Sequence, residues 1–297
     1  LASDTLSFSP YTNQVILLED YDMVEIDKQY LKVFNILNMH EKDIEIKKLK
    51  VQYQNIDKGK YDHYMMKEIV DQKETILLAS NYSKKELLPL VEQIKKSKKV
   101  YVIGAGTAGF ASGQIAYFLR SISNVDALDI RSYEYKSFLP IIDKQDLLIV
   151  LSQSGETADT IEAIEEFKKK GCKVCSLVNM LGTTISRISD FEYYTNSGPE
   201  ICVASTKVFT AQCSWGYLLA MTLKNKNTFA KRNINELSQK IHKLFTNKSL
   251  ENIQSVVKSI YKKDHMFILG KGENFNISLE GVLKIKEISY KHVEGFS

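Results

Sequence analysis

The chain carries almost no excess charge: 40 Lys+Arg stand against 36 Asp+Glu, a net of +4. The densest basic cluster, Lys95, Lys96, Lys98 and Lys99, reads as a solvated helix end. No basic stripe interleaved with aromatics is present, which argues against a nucleic-acid partner. No apolar run approaches the ~18 residues of a membrane span, so no membrane partner is expected. No secretory signal is visible. Cysteine is also scarce, four in 297 residues, which fits a reduced, cytoplasmic setting rather than a disulfide scaffold. Cys172 and Cys175 form a C-x-x-C, but Cys172-Lys-Val-Cys175-Ser-Leu-Val178 reads as a buried strand, with no second pair or His cluster beside it. No metal or redox site is expected there.

What is present is enough apolar surface for a core, 44% of residues. The length is that of about two domains of ~150 residues. Leu1, not Met, opens the sequence, so it is expected to begin inside a longer protein. Residues 1–52 are β-rich: Val15–Leu18 and Val24–Ile26 read as strands, and Val33–Leu37 with Ile44–Val51 as a hairpin. Residues 53–75 read as a linker region, with a turn at Asp57-Lys-Gly59 and a helix from Tyr61 to Gln72. A second helix is expected over Lys84–Lys96. From Lys99 the pattern alternates strand and helix: strands at Val100–Ile103, Leu147–Leu151 and Val174–Val178, and helices from Gly104 to Arg120 and from Glu156 to Lys170. This predicts an α/β domain over 76–228, a doubly wound parallel sheet with helices on both faces. A faint repeat, Tyr101-Val-Ile-Gly-Ala-Gly106 and Phe267-Ile-Leu-Gly-Lys-Gly272, predicts the start of a related domain over 229–297.

Four segments carry chemistry. Ser152-Gln-Ser-Gly-Glu-Thr-Ala-Asp159 lies between a strand and a helix, where ligands bind in open α/β sheets. Its hydroxyls, its glycine and the helix N–H groups form a phosphate cradle of neutral donors, although any one Ser or Thr there could be a plain cap. Val203-Ala-Ser-Thr-Lys207 precedes an apolar helix, and Ser205 or Thr206 reads most simply as its N-cap. Gly104-Ala-Gly-Thr-Ala-Gly109, followed by Asp129, matches a dinucleotide fingerprint. Glu280, Lys284 and Glu287 share one helical face. They form either a surface ion-pair ladder or a Lys–Glu relay for proton transfer, and spacing alone favours the ladder.

Ser152–Asp159, Val203–Lys207 and Leu279–Tyr290, in this order, resemble the sugar-isomerase part of the glucosamine-6-phosphate synthase family. Leu1–Asp4 and Asp57–Tyr64 resemble that family's glutaminase tail and linker. The resemblance implies a SIS-type α/β fold preceded by the β-rich tail of an Ntn-hydrolase glutaminase domain. It implies conversion of fructose 6-phosphate and glutamine-derived ammonia to glucosamine 6-phosphate without a cofactor, in a homodimer built through the SIS domains. Glutamine itself would be handled only by the glutaminase part. Ser152, Gln153, Ser154 and Thr157 would hold the phosphate, and Thr107, Val203 and Ser205 would line the sugar site. Glu287 would be the base, with Lys284 and Glu280 in support.

The family's Cys-Gly-Thr-Ser segment reads Ala105-Gly-Thr-Ala108 here, so two polar side chains near the sugar are lost. The glutaminase nucleophile, the ring-opening histidine and the Schiff-base lysine would lie outside Leu1–Ser297, so the chain alone is not expected to complete the reaction. Two alternatives stay open: a phosphosugar-sensing SIS module without chemistry, and a dinucleotide-dependent oxidoreductase built on Gly104–Gly109.

Overall fold

A computed structural model describes residues 2, 8, 11–48 and 57–297. They fall into two compact units, Leu1–Ile56 and Asp57–Ser297. Among its described residues the first unit holds only strands: β1 (Gln14–Val15), β2 (Asp22–Ile26), β3 (Leu31–Asn35), β4 (His40–Lys42) and β5 (Lys47–Lys48). β2, β3 and β4 form an antiparallel sheet, and β1 pairs with β5. The expected hairpin therefore closes earlier than the apolar pattern indicates. β3 turns back at once because the Asn35 and Asn38 side chains accept from Leu37 N and His40 N, at 3.0 and 2.9 Å, and Met39 adopts φ 57°. Such Asx bonds make a tight turn out of residues that apolar periodicity ignores. Of Ile44–Val51 only Lys47–Lys48 is strand, and residues 49–51 lie outside the described part, as do Leu1 and residues 3–7.

The second unit opens with α1 (Tyr64–Ala79) and α2 (Lys84–Lys96). α1 occupies much of the stretch read as linker and runs past the expected end at Gln72, because Thr75, Ile76 and Ala79 are buried and the helix packs on the later helix α6 (Lys207–Leu223). α2 starts on a complete capping box: Ser83 Oγ accepts from Glu86 N, and Glu86 Oε2 accepts from Ser83 N.

The central sheet contains β6 (Val100–Gly104), β7 (Ala127–Arg131), β8 (Leu147–Ser152), β9 (Lys173–Val178) and β10 (Phe191–Tyr194). All pairings are parallel, in the order β10-β9-β8-β6-β7. Alternate residues feed two separate cores. Val100 and Val102 join one with α2, α3 (Gly106–Ser123) and α6; Tyr101 and Ile103 join the other with α4 (Ala158–Lys169). Burial on both faces explains the near-continuous apolar strands, each buried Val or Leu contributing about 1.5–3 kcal/mol.

β6 lies between β7 and β8, so the chain leaves its end toward one neighbour and returns beside the other. The crevice at such a reversal is where open α/β sheets hold ligands. After the short α5 (Thr184–Arg187) and α6 come α7 (Asn227–Leu244), α8 (Asn247–Ile260), β11 (His265–Leu269), α9 (Phe275–Ser289) and β12 (His292–Phe296). β11 and β12 pair in parallel as β6 and β7 do. The sequence repeat has a common backbone device. A Cβ on Gly104 would sit 2.6 Å from Ala108 C, and one on Gly270 would sit 2.5 Å from Asn274 O. Gly106 and Gly272 both take positive φ, 52° and 60°.

Candidate functional site

At the reversal between β6 and β8 lies a cavity of about 200 Å³. Three segments line it: Ala105, Thr107 and Ala108 after β6; Leu151 and Ser152 at the end of β8 with Gln153, Ser154 and Thr157 beyond it; and Ser205, Val208 and Gln212 around the start of α6. No Lys or Arg is among these residues.

The loop after β8 is shaped by its own hydrogen bonds. α4 begins at Ala158, later than periodicity predicts, which leaves Glu156 and Thr157 in the loop. Gly155 N donates to Ser152 Oγ at 2.9 Å, and Glu156 N to Ser154 Oγ at 3.2 Å. Glu156 Oε1 accepts from Thr184 N at 2.8 Å, tying the loop to α5. Gly155 has φ 71°, and a Cβ there would lie 2.2 Å from Thr183 Oγ1. Thr157, at the N-cap position, makes no side-chain cap bond. Hydroxyls and the unpaired first N–H groups of α4 therefore converge at the positive end of a helix dipole.

The segment leading into α6 is held by two carboxylates that the sequence reading missed. Glu68 of α1, 2% exposed, accepts from Ile201 N at 2.6 Å and Cys202 N at 3.2 Å. Burial raises its pKa, against the pull of those two backbone bonds. Glu200 Oε1 accepts from Thr206 N at 2.8 Å and Val208 N at 3.3 Å. It takes over the capping assigned to Ser205 or Thr206, since the Thr206 side chain makes no cap bond. Lys207 is buried, 3.8 Å from Asp71; burial lowers its pKa and Asp71 opposes the shift. No local signal marked Glu68, because its partners lie more than a hundred residues away.

On α9, Lys284 Nζ stands 2.6 Å from Glu287 Oε2 and 3.4 Å from Glu280 Oε1, and donates to Thr107 Oγ1 at 3.0 Å. Thr107 Oγ1 in turn lies 3.1 Å from Glu280 Oε1 as donor. The surface-ladder reading fails at Glu280, which is buried, with Oε2 unpartnered among the described residues. Burial raises its pKa to about 7, opposed by Lys284 and Thr107 and reinforced by Glu287. Glu287 is exposed.

Six expected residues thus line one cavity: Thr107, Ser152, Gln153, Ser154, Thr157 and Ser205. Glu280 and Lys284 reach it through Thr107, and Glu287 through Lys284. Val203 stands fully exposed, apart from the lining. Gln212, also missed, lines the cavity from α6. Its legible signal was a lone amide in a mostly apolar helix, seven residues beyond Ser205.

The dinucleotide alternative loses its acidic residue. Asp129 lies in the middle of β7, opposite Val102. The strand ends on Arg131, whose guanidinium donates to Gly109 O and stacks 4.6 Å from the Phe110 ring. Cys172 and Cys175 are free and buried, and burial raises both thiols, Cys172 to about 11.

Residues 93–222 match the family model of the SIS domain. Two curated proteins named glutamine–fructose-6-phosphate aminotransferase (isomerizing), from Clostridium tetani and Aquifex aeolicus, are 36% and 34% identical to the chain over all of its length. The chain spans about half of each, 51% and 50%. Among solved structures, the C-terminal domain of glucosamine-fructose-6-phosphate aminotransferase from Francisella tularensis has a TM-score of 0.70 at 28% identity, covering 82% of this chain and 71% of that one. A glucosamine-6-phosphate deaminase from Thermotoga maritima shares the fold, with a TM-score of 0.62 at 23% identity over 79% of this chain and 70% of its own.

Proposed function

We propose, for a chain that carries a SIS domain and is homologous along its whole length to glutamine–fructose-6-phosphate aminotransferases, that it is the sugar-phosphate-binding isomerase portion of a glucosamine-6-phosphate synthase. The observation that carries this reading is the joining of a neutral phosphate cradle to an acid–base cluster through one residue, Thr107. A phosphosugar sensor needs the cradle alone. A buried carboxylate with a pKa of about 7 is suited to moving protons at neutral pH.

In this reading Ser152, Gln153, Ser154 and Thr157 bind the phosphate of fructose 6-phosphate, and Thr107 and Ser205 meet the sugar. Glu287 moves the proton between C1 and C2, Lys284 holds it in place by their 2.6 Å contact, and Glu280 supports Lys284. A second reading exchanges the carboxylates: burial and the raised pKa favour Glu280 as the group that carries the proton. Ammonia comes from a glutaminase domain, of which residues 1–52 are the β-rich end. Residues 229–297 begin a second SIS domain, and two copies associate through SIS domains. No helix among the described residues is long and apolar enough to cross a membrane, and the proposed setting is the cytoplasm.

Titration calorimetry on the folded chain tests the substrate class. Fructose 6-phosphate and glucosamine 6-phosphate should bind, and the unphosphorylated sugars should bind far more weakly. Equal affinity for glucosamine and glucosamine 6-phosphate would overturn the reading.

A further inference from the structure

We propose that Gln212 is a specificity-determining residue, whose side-chain amide hydrogen-bonds the sugar body, not the phosphate, of the bound ligand. This rests on the sugar-phosphate reading above and assigns a role within that site.

Gln212 is 1% exposed, lines the cavity, and its Nε2 has no hydrogen-bond partner among the described residues. A buried amide without a partner is a standing cost in a folded protein and calls for an explanation. The rest of α6 sharpens the point. Thr210 and Thr222 satisfy their hydroxyls on the helix's own carbonyls, Lys207 O and Leu218 O, at 3.1 and 2.6 Å. The Trp215 Nε1 is also unpartnered, but that ring packs into the core beside Tyr193 and does not line the cavity. Gln212 combines the two properties: an unpaired polar group and a place on the cavity wall.

Its position assigns the part of the ligand it meets. The phosphate donors cluster at the N-terminus of α4, whereas Gln212 shares the α6 wall with Val208 and Ser205. On the wall after β6 Thr107 supplies the one hydroxyl, already bonded to Glu280 and Lys284, while Ala105 and Ala108 bring only methyl groups. A side-chain amide can donate to one hydroxyl and accept from another. A ligand that pairs it removes a cost already present in the empty site, and such a site discriminates strongly against a ligand that leaves it unpaired.

Gln212→Met, of nearly the same shape but apolar, separates this from a structural role. In calorimetry on the full chain the variant should lose about 10–100-fold in affinity for fructose 6-phosphate, with inorganic phosphate bound within about twofold of the parent. Its melting temperature should equal or exceed the parent's, because an unpaired buried amide has been removed. Unchanged affinity for fructose 6-phosphate, a parallel loss for both ligands, a lower melting temperature or failure to fold would each overturn the assignment. If the parent chain binds inorganic phosphate but gains nothing from the sugar, the reading beneath it fails as well. If only the variant comparison fails, that reading stands and Gln212 alone is withdrawn.

Discussion

Thr107 Oγ1 lies 3.1 Å from the Glu280 Oε1 that accepts its hydrogen bond, across 173 residues of chain. The contact ties the cavity lining to a carboxylate that lines no part of it, and burial of that carboxylate, not the contact, holds a proton on the cluster.

Glu280 should imprint itself on the pH dependence of stability. Burial pushes its carboxyl up to about 7, from an ordinary glutamate value of 4.5. Between these values the folded chain holds more protons than the unfolded one, so stability falls as pH rises through this window. The cost is absent below the unfolded value and complete above the folded one, at about 3 kcal/mol. Glu280→Gln removes the titration. Denaturant melts should find the variant gaining on the parent between about pH 4.5 and 7, with the difference constant outside that range. Parallel curves throughout would mean that Glu280 titrates like an exposed carboxylate.

Gly155→Ala should damage the cradle specifically. The residue has φ 71°, and the added methyl would meet Thr183. Left-handed backbone and a clash together cost on the order of 1–3 kcal/mol, and relief requires the loop to move. Sugar-phosphate affinity should therefore fall by more than the stability loss accounts for at temperatures where the chain stays folded. A variant that binds normally would show that the loop's geometry is not the receptor.

Glu68 tests whether the second loop is positioned from α1. Glu68→Ala leaves Ile201 N and Cys202 N without their acceptor, at about 1–3 kcal/mol. Glu68→Gln keeps a carbonyl at the same place and should cost less. Urea unfolding should rank the variants in that order, and sugar-phosphate affinity should follow, since the segment leads directly to Ser205. The opposite ranking would assign the loop's order to other contacts.

Glu287 and Glu280 can be separated by turnover in a full-length synthase carrying this chain's sequence. If Glu287 is the base, Glu287→Gln should lower isomerisation about 10²–10⁴-fold with sugar-phosphate binding nearly intact. Near-normal turnover in that variant, with a loss of this size in Glu280→Gln, would move the base to the buried carboxylate.

The sequence by itself determined the elements whose signals are local. Two-sided burial produced the apolar runs of β6, β8 and β9, and strand–glycine–helix turns marked the edge where the cradle forms. The density of hydroxyls in Ser152–Thr157 likewise identified the loop without coordinates. Helical spacing was enough to group Glu280, Lys284 and Glu287.

Only the tertiary structure decided what depends on distant neighbours. It buried Glu280 while leaving Glu287, on the same helical face, exposed, because burial is set by what packs against a face and not by spacing along it. It likewise extended the helix expected in the linker region to Ala79 and packed it on α6, which brings Glu68 to a loop more than a hundred residues away. Asp129 was removed from the end of β7 by register, a property of strand pairing. Gln212 was given a cavity to face by the approach of α6 to the reversal between β6 and β8. A residue's period along the chain follows from its own helix or strand, whereas its solvation and partners are fixed only when the elements meet.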